Sequence, residues 1–272
     1  MQKKIAVIND LSGYGRCSLT VAIPVLSVMG HQCCPVPTAI LSNHTEFPVY
    51  FFDDYTEKMT AYTDKWKELG LSFDAVATGF LGSAAQIEIV MDMIRKLESE
   101  ETFVVVDPVM GDHGHAYETY TPEMCEQMKE LVCMADIVLP NVTECCILTD
   151  TPYKKENWTR RELLNMAMML RLMGAKSVVI TGVREGSYYT NVVLERGQME
   201  AKFIRTRSSG GERPGTGDVF SSVVAGALLN GKSLPEAVAQ AAGFVKECIK
   251  VSDEEQIPHA NGVCFEKILG KL

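Results

Sequence analysis

Short β-branched runs alternate with longer segments of helical period along this chain, and no other feature narrows its fold as far. Alternation of this kind specifies an α/β protein, a mostly parallel sheet whose crossover helices pack on both faces. Residues 5–8, 74–78, 103–106, 137–139 and 177–181 are apolar almost without a break. Strands buried on one face alternate polar and apolar residues, so these read as central strands covered from both sides. Residues 31–37 predict a further strand. Residues 188–194 and 199–205, separated by Glu195-Arg196-Gly197-Gln198, predict a late antiparallel hairpin at the sheet edge.

Helix starts are marked by side chains that can cap free backbone N–H groups. Ser83 with Gln86, Thr159 with Glu162 and Ser233 with Glu236 have capping-box spacing, and Thr121 precedes Pro122. Gly30, Gly70 and Gly174 stand where helices should stop. No repeat, low-complexity tract or Pro/Ser/Gly linker divides the 272 residues, so a single domain over 1–272 is expected. With 46% hydrophobic residues that domain can form a core without metal or disulfide staples.

The net charge of -9 and the lack of a basic stripe exclude a nucleic-acid or anionic-membrane surface. Residues 1–9 lack the apolar region of a signal peptide, and no apolar run reaches the roughly 18 residues needed to span a bilayer. The nine cysteines are scattered, without the spacing of a disulfide framework or zinc site. A cytoplasmic location is expected.

Gly215-Thr216-Gly217-Asp218, followed by an apolar run, places two glycines at a helix start. Unpaired N–H groups and the positive dipole end suit a phosphoryl anion there. A carboxylate repels such an anion, so Asp218 is either an N-terminal cap or a base that takes a proton from an attacking hydroxyl. Asp107-Pro108-Val109-Met110-Gly111-Asp112 and Asn141-Val142-Thr143-Glu144 each follow a predicted strand and supply carboxylates. Hard oxygen ligands of this type suit Mg²⁺ bound to nucleotide phosphates, while turn closure by Asp107 and helix capping by Glu144 are the structural alternatives. In an open parallel sheet these segments share the carboxyl edge, where ligands bind. Anion cradle, carboxylates and base are the parts of phosphoryl transfer, and neither a P-loop nor a protein-kinase motif set is present.

These motifs resemble the ribokinase-like superfamily and, within it, the pyridoxal kinases. Gly13-Tyr14-Gly15, Ser42-Asn43-His44-Thr45, Asp107 to Asp112, Pro140-Asn141-Val142-Thr143-Glu144 and Gly215 to Asp218 match in the family's order across nearly the full length. The resemblance implies a three-layer α/β/α fold with a small lid, ATP and Mg²⁺ as cofactors, a homodimer, and phosphorylation of the 5′-hydroxymethyl group of a B6 vitamer. It implies that Asp218 is the base and that Gly215, Thr216 and Gly217 form the anion hole. Asp107, Asp112 and Glu144 would organise the metal, Asp107, Asn141, Glu144 and Thr181 would lie on the nucleotide side, and Thr45 and Phe80 would meet the pyridine. Asn9-Asp10 stands where many members have Gln-Ser, so Asp10 is a substrate-binding candidate that could alter the choice of vitamer or favour hydroxymethylpyrimidine. A vitamer-binding protein without catalysis is the reading from another class. The polar, glycine-containing stretch from Asp112 to Tyr117 predicts a mobile lid. Arg205, Arg207 and Arg213 either approach the phosphates or form a solvated basic loop.

Overall fold

The computed structural model describes every residue except Met1, Glu98 and Glu100. The first half of the chain forms β1 (Lys4–Tyr14), α1 (Ser18–Val28), β2 (Gln32–Asn43), β3 (Phe52–Asp54), α2 (Thr56–Glu68), β4 (Ala75–Thr78), α3 (Ala84–Leu97) and β5 (Phe103–Val106). There follow β6 (Gly111–Asp112), β7 (His115–Ala116), α4 (Pro122–Cys133), β8 (Ile137–Val138), α5 (Val142–Leu148) and α6 (Arg160–Met173). The last third forms β9 (Ser177–Glu185), β10 (Tyr188–Leu194), β11 (Lys202–Arg207), α7 (Thr216–Leu229) and α8 (Leu234–Glu254), with two short 3-10 turns at the end.

Among the described residues nine strands make one sheet in the order β11-β10-β9-β8-β5-β4-β1-β2-β3. The six from β9 to β2 run parallel, and β3, β10 and β11 add antiparallel edges. Ile5 and Val7 of β1 enter the core under α1, α7 and α8, whereas Ala6 and Ile8 enter the core under α2 to α6. Val105 of β5 likewise opposes Val104 and Val106, and Val179 of β9 opposes Val178 and Ile180. Successive side chains point to opposite faces, so two buried faces require the uninterrupted apolar runs seen in the sequence.

The helix ends follow their capping chemistry. Thr159 with Glu162 and Ser233 with Glu236 close reciprocal capping boxes, and Thr121 accepts from the Met124 N–H ahead of Pro122. Ser83 closes only half a box: it accepts from the Gln86 N–H, but the Gln86 amide donates to the Thr38 carbonyl and the Thr56 hydroxyl. Gly174 ends α6 with φ 135, a conformation costly for any side chain.

Several elements depart from expectation. β1 and β2 extend past residues 8 and 37 and pair as far as Tyr14 with Asn43, through a register shift between Asn9 and Leu11. Asn9-Asp10 and Ser42-Asn43 therefore lie within strands and not beyond them. Edge strand β3 was not expected; its three exposed residues carry no apolar alternation, and its pairing with β2 alone defines it. β11 begins at Lys202 and not at Met199. The predicted lid contains a two-stranded hairpin, with Gly111 paired to Ala116 and Asp112 to His115. Among the described residues no helix is long and apolar enough to cross a membrane.

Candidate active site

The site is built where the carboxyl ends of the parallel strands meet the start of α7. Gly215 caps α7 with φ 79, which leaves Thr216, Gly217 and Asp218 in the first turn. The N–H groups of a first turn have no partner within the helix, and the dipole favours an anion beside them. Gly217 is exposed, and a Cβ there would meet nothing within 4 Å, so the helix start opens onto free space.

Asp218 is half-buried on that turn. Its Oδ1 accepts from Asn9 Nδ2 at 3.3 Å, and the Ser18 backbone N–H also faces the carboxylate. Burial pushes its pKa up to about 6; the nearby Asp10 charge adds to the rise, and the Ser18 and Asn9 donors oppose it. A carboxylate with that pKa is mostly ionised at neutral pH yet a stronger base than an exposed aspartate.

Asp107, directly after β5, faces the Val109 N–H and the Ser221 side chain, which favour its charged form. Burial raises its pKa well above the ordinary value, and the charges of Glu144 and Asp218 raise it further. Glu144 is buried, and burial lifts its pKa to about 7. Its Oε2 accepts from the Asn141 N–H at 2.7 Å and its Oε1 from the Met110 N–H at 3.0 Å. Asn141 returns the cap by accepting from the Glu144 N–H at 2.9 Å, and its amide donates to the Gly111 carbonyl at 2.9 Å. Gly114 N–H donates to the Thr143 hydroxyl at 2.9 Å, so the lid hairpin rests on the first turn of α5. Thr181 bridges to Asn141 from β9.

On the other side, Phe80 is half-buried and its N–H donates to Asn9 Oδ1 at 2.9 Å. Thr45 is exposed in the turn after β2, beside a buried His44 whose Nε2 pairs with the Ala260 carbonyl at 2.7 Å. Asp10 is buried within β1, with both carboxylate oxygens engaged by serine hydroxyls.

The fold therefore gathers Asp218, Asp107, Glu144, Asn141 and Thr181 along one edge, with Gly215 to Gly217 beside them. Asp112 is exposed on the lid, where its charge adds to the rise in the Glu144 pKa and its Oδ1 accepts from the His113 N–H at 2.7 Å. Among the described residues no group of three or more His, Cys, Asp or Glu side chains is arranged to hold a metal. Arg213 turns away: it donates to the Ile257 carbonyl at 2.9 Å and to Asp253 at 2.8 Å. Arg205 pairs with Glu185 and lies over the Tyr188 ring. Ser18 and Ser221 were not singled out from the sequence, and Asn9 was named only with Asp10, because each gains its role only when α7 is laid against β1, α1 and β5.

A model of the family described as phosphomethylpyrimidine kinase matches residues 23–264. A Bacteroides thetaiotaomicron protein, solved in an orthorhombic form with pyridoxal, superposes with a TM-score of 0.95 at 40% identity, covering 100% of this chain and 96% of its own. A pyridoxine/pyridoxal/pyridoxamine kinase of Bordetella avium (strain 197N) is 26% identical over 260 residues, 90% of this chain and 84% of that one. A hydroxymethylpyrimidine/phosphomethylpyrimidine kinase of Aquifex aeolicus (strain VF5) is 32% identical over 174 residues, 63% of this chain and 66% of that one.

Proposed function

The chain belongs to the phosphomethylpyrimidine kinase family, and from that premise we propose that it transfers the γ-phosphoryl group of ATP to the 5′-hydroxymethyl group of a B6 vitamer. The acceptor is pyridoxal, pyridoxine or pyridoxamine and the product its 5′-phosphate. The observation that carries this reading is Asp218, a carboxylate of raised basicity in the first turn of a helix whose amides face open space. Similarity to a B6 kinase over 84% of that relative's length supports the choice of acceptor.

In this reading the Asp218 carboxylate takes the hydroxyl proton as the substrate oxygen attacks the γ-phosphorus and the bond to ADP breaks. The N–H groups of Gly215 to Gly217 hold the oxygens on which charge builds. Phe80 and Thr45 contact the pyridine, and Asn141 and Thr181 flank the nucleotide. The lid hairpin covers the cleft and excludes water.

Mg²⁺ fits the donor set. Glu144 and Asp218 raise the proton affinity of buried Asp107, and a cation relieves that crowding. Mg²⁺ keeps several waters, so one or two carboxylates suffice; Asp107 and Asp112 would hold it, and Glu144 would orient the loop behind them. Bound there with ATP, the ion would neutralise charge on the phosphates. We further assign residues 1–272 to one kinase domain, because one continuous sheet runs from β3 to β11. The nine free cysteines support a reducing, cytoplasmic setting, and a homodimer is expected by analogy with the family.

The test is product formation with Mg-ATP and, separately, pyridoxal, pyridoxine, pyridoxamine and hydroxymethylpyrimidine, with Asp218→Asn as control. Phosphorylation of a vitamer that depends on Asp218 supports the reading. The family description and the Aquifex aeolicus relative favour hydroxymethylpyrimidine as the second acceptor. Turnover on that alcohol alone would move the activity there, and turnover on none would overturn both.

A further inference from the structure

Asp10 is 6% exposed, and its oxygens face inward to the protein. Oδ2 accepts from the Ser12 hydroxyl at 2.8 Å and Oδ1 from the Ser18 hydroxyl at 2.5 Å. Each oxygen keeps a second acceptor site, but burial closes it to a substrate, so a charge placed here needs another reason.

Ser18 supplies one. It opens α1 with φ 52, a left-handed conformation uncommon outside glycine. In that conformation its backbone N–H faces the Asp218 carboxylate while its hydroxyl donates to Asp10. One residue therefore faces both carboxylates, bonded to Asp10 and with its N–H toward the base.

Asn9 makes the second link. Its Oδ1 accepts from the Phe80 N–H at 2.9 Å and the Asp10 N–H at 3.0 Å. Two donors fix which end of the amide is oxygen. A Cβ on Gly79 would lie 2.3 Å from Asn9 Nδ2, so the side chain is packed tightly against that backbone. Nδ2 is left directed at Asp218 Oδ1. A cavity of about 20 Å³, room for about one water, is lined by Asp218 with Asn9, Ser221 and Ser222 among apolar side chains.

We infer that Asp10 is a positioning residue: acting through Ser18, and alongside Asn9, it aims the Asp218 carboxylate at the attacking hydroxyl and does not hold the substrate. The inference rests on the kinase reading.

The test is a double-mutant cycle on the full chain, read by kcat, by KM for pyridoxal and by equilibrium binding of pyridoxal without ATP. Asp10→Asn and, separately, Ser18→Ala should each lower kcat by about ten-fold or more, because small displacements of a reacting group are costly. KM and pyridoxal binding should stay within about two-fold. In the Asp218→Asn background, Asp10→Asn should change the residual rate by less than about two-fold, since its effect passes through the base. A raised KM with kcat retained overturns the inference in favour of substrate contact, and so does an unchanged kcat or an undiminished effect without Asp218. If Asp10→Asn does not fold, Ser18→Ala alone decides, by the same readings and in the same background. If wild-type protein phosphorylates no vitamer, the kinase reading fails, and a crystal structure of either variant judges the positioning separately. There an Asp218 carboxylate still bonded to Asn9 Nδ2 and facing the Ser18 N–H overturns it, and a displaced one supports it.

Discussion

A Cβ on Gly215 would stand 1.7 Å from the carbonyl oxygen of Arg16, so the turn that starts α7 and the loop that starts α1 meet backbone to backbone. Gly215 also has φ 79, where any side chain is strained. Gly215→Ala must therefore push the two loops apart and carry the first-turn amides and Asp218 with them. The expected result is a kcat/KM lower by about a hundred-fold or more and a lower melting temperature. Steady-state kinetics with a thermal melt checks it; a variant with normal turnover would show that the contact is dispensable.

The pKa of Asp218 near 6 sets the acid side of the activity profile. As base it must be ionised, so kcat/KM should fall about ten-fold per pH unit below that value. Stability responds in the opposite sense. The folded pKa lies above the ordinary 3.8, so between those values the native state binds more protons, and stability declines as pH rises through the window. Asp218→Asn should thus raise the melting temperature more at about pH 7.5 than at about pH 4.5 while lowering turnover by about 10² to 10⁴.

Glu144 and Glu236 occupy the same position of two capping boxes, but the first is buried and the second exposed. A glutamine at 144 can accept from only one of the Asn141 and Met110 N–H groups through its oxygen and turns an NH₂ toward the other. Glu144→Gln should cost about 1–3 kcal/mol, whereas Glu236→Gln, with water nearby, should cost under about 1 kcal/mol. Denaturant melts of both variants test the difference, and equal costs would contradict it.

Chelation of divalent metal should abolish turnover on every acceptor. Asp107→Asn should raise the Mg²⁺ concentration for half-maximal rate by about ten-fold or more, and an unchanged Mg²⁺ dependence would remove Asp107 from the metal site.

Arg213 is committed to the Ile257 carbonyl and Asp253, and its side chain is only 11% exposed. Arg213→Ala should lower stability by about 1–3 kcal/mol and leave the KM for ATP within about two-fold. A large rise in that KM would return the residue to the nucleotide side.

The central strands and the α7 start were legible because burial on both faces and a glycine turn each leave a local trace. Residues 103–106 predict β5 to the residue, and Gly215-Thr216-Gly217-Asp218 opens α7 as expected. The reach of β1 to Tyr14 was hidden, since Asn9 to Tyr14 is mainly polar and its ladder depends on β2. β3 and the lid hairpin are two or three residues per strand, too short to carry a period. Ser12 shares a strand face with Asp10, but the local sequence says nothing of Ser18, whose hydroxyl reaches Asp10 only once β1 turns into α1.

Asn9 and Asp218 are hydrogen-bonded across 209 residues of chain, and α1 packs against α7 over the same separation. A ribosome releases the first of these groups long before the second, so the nascent protein waits, catalytically silent, with the apolar flank of α1 uncovered until α7 emerges. Premature termination just before α7 yields a product that has the strands of the sheet and no base, with an open surface by which quality control can recognise it.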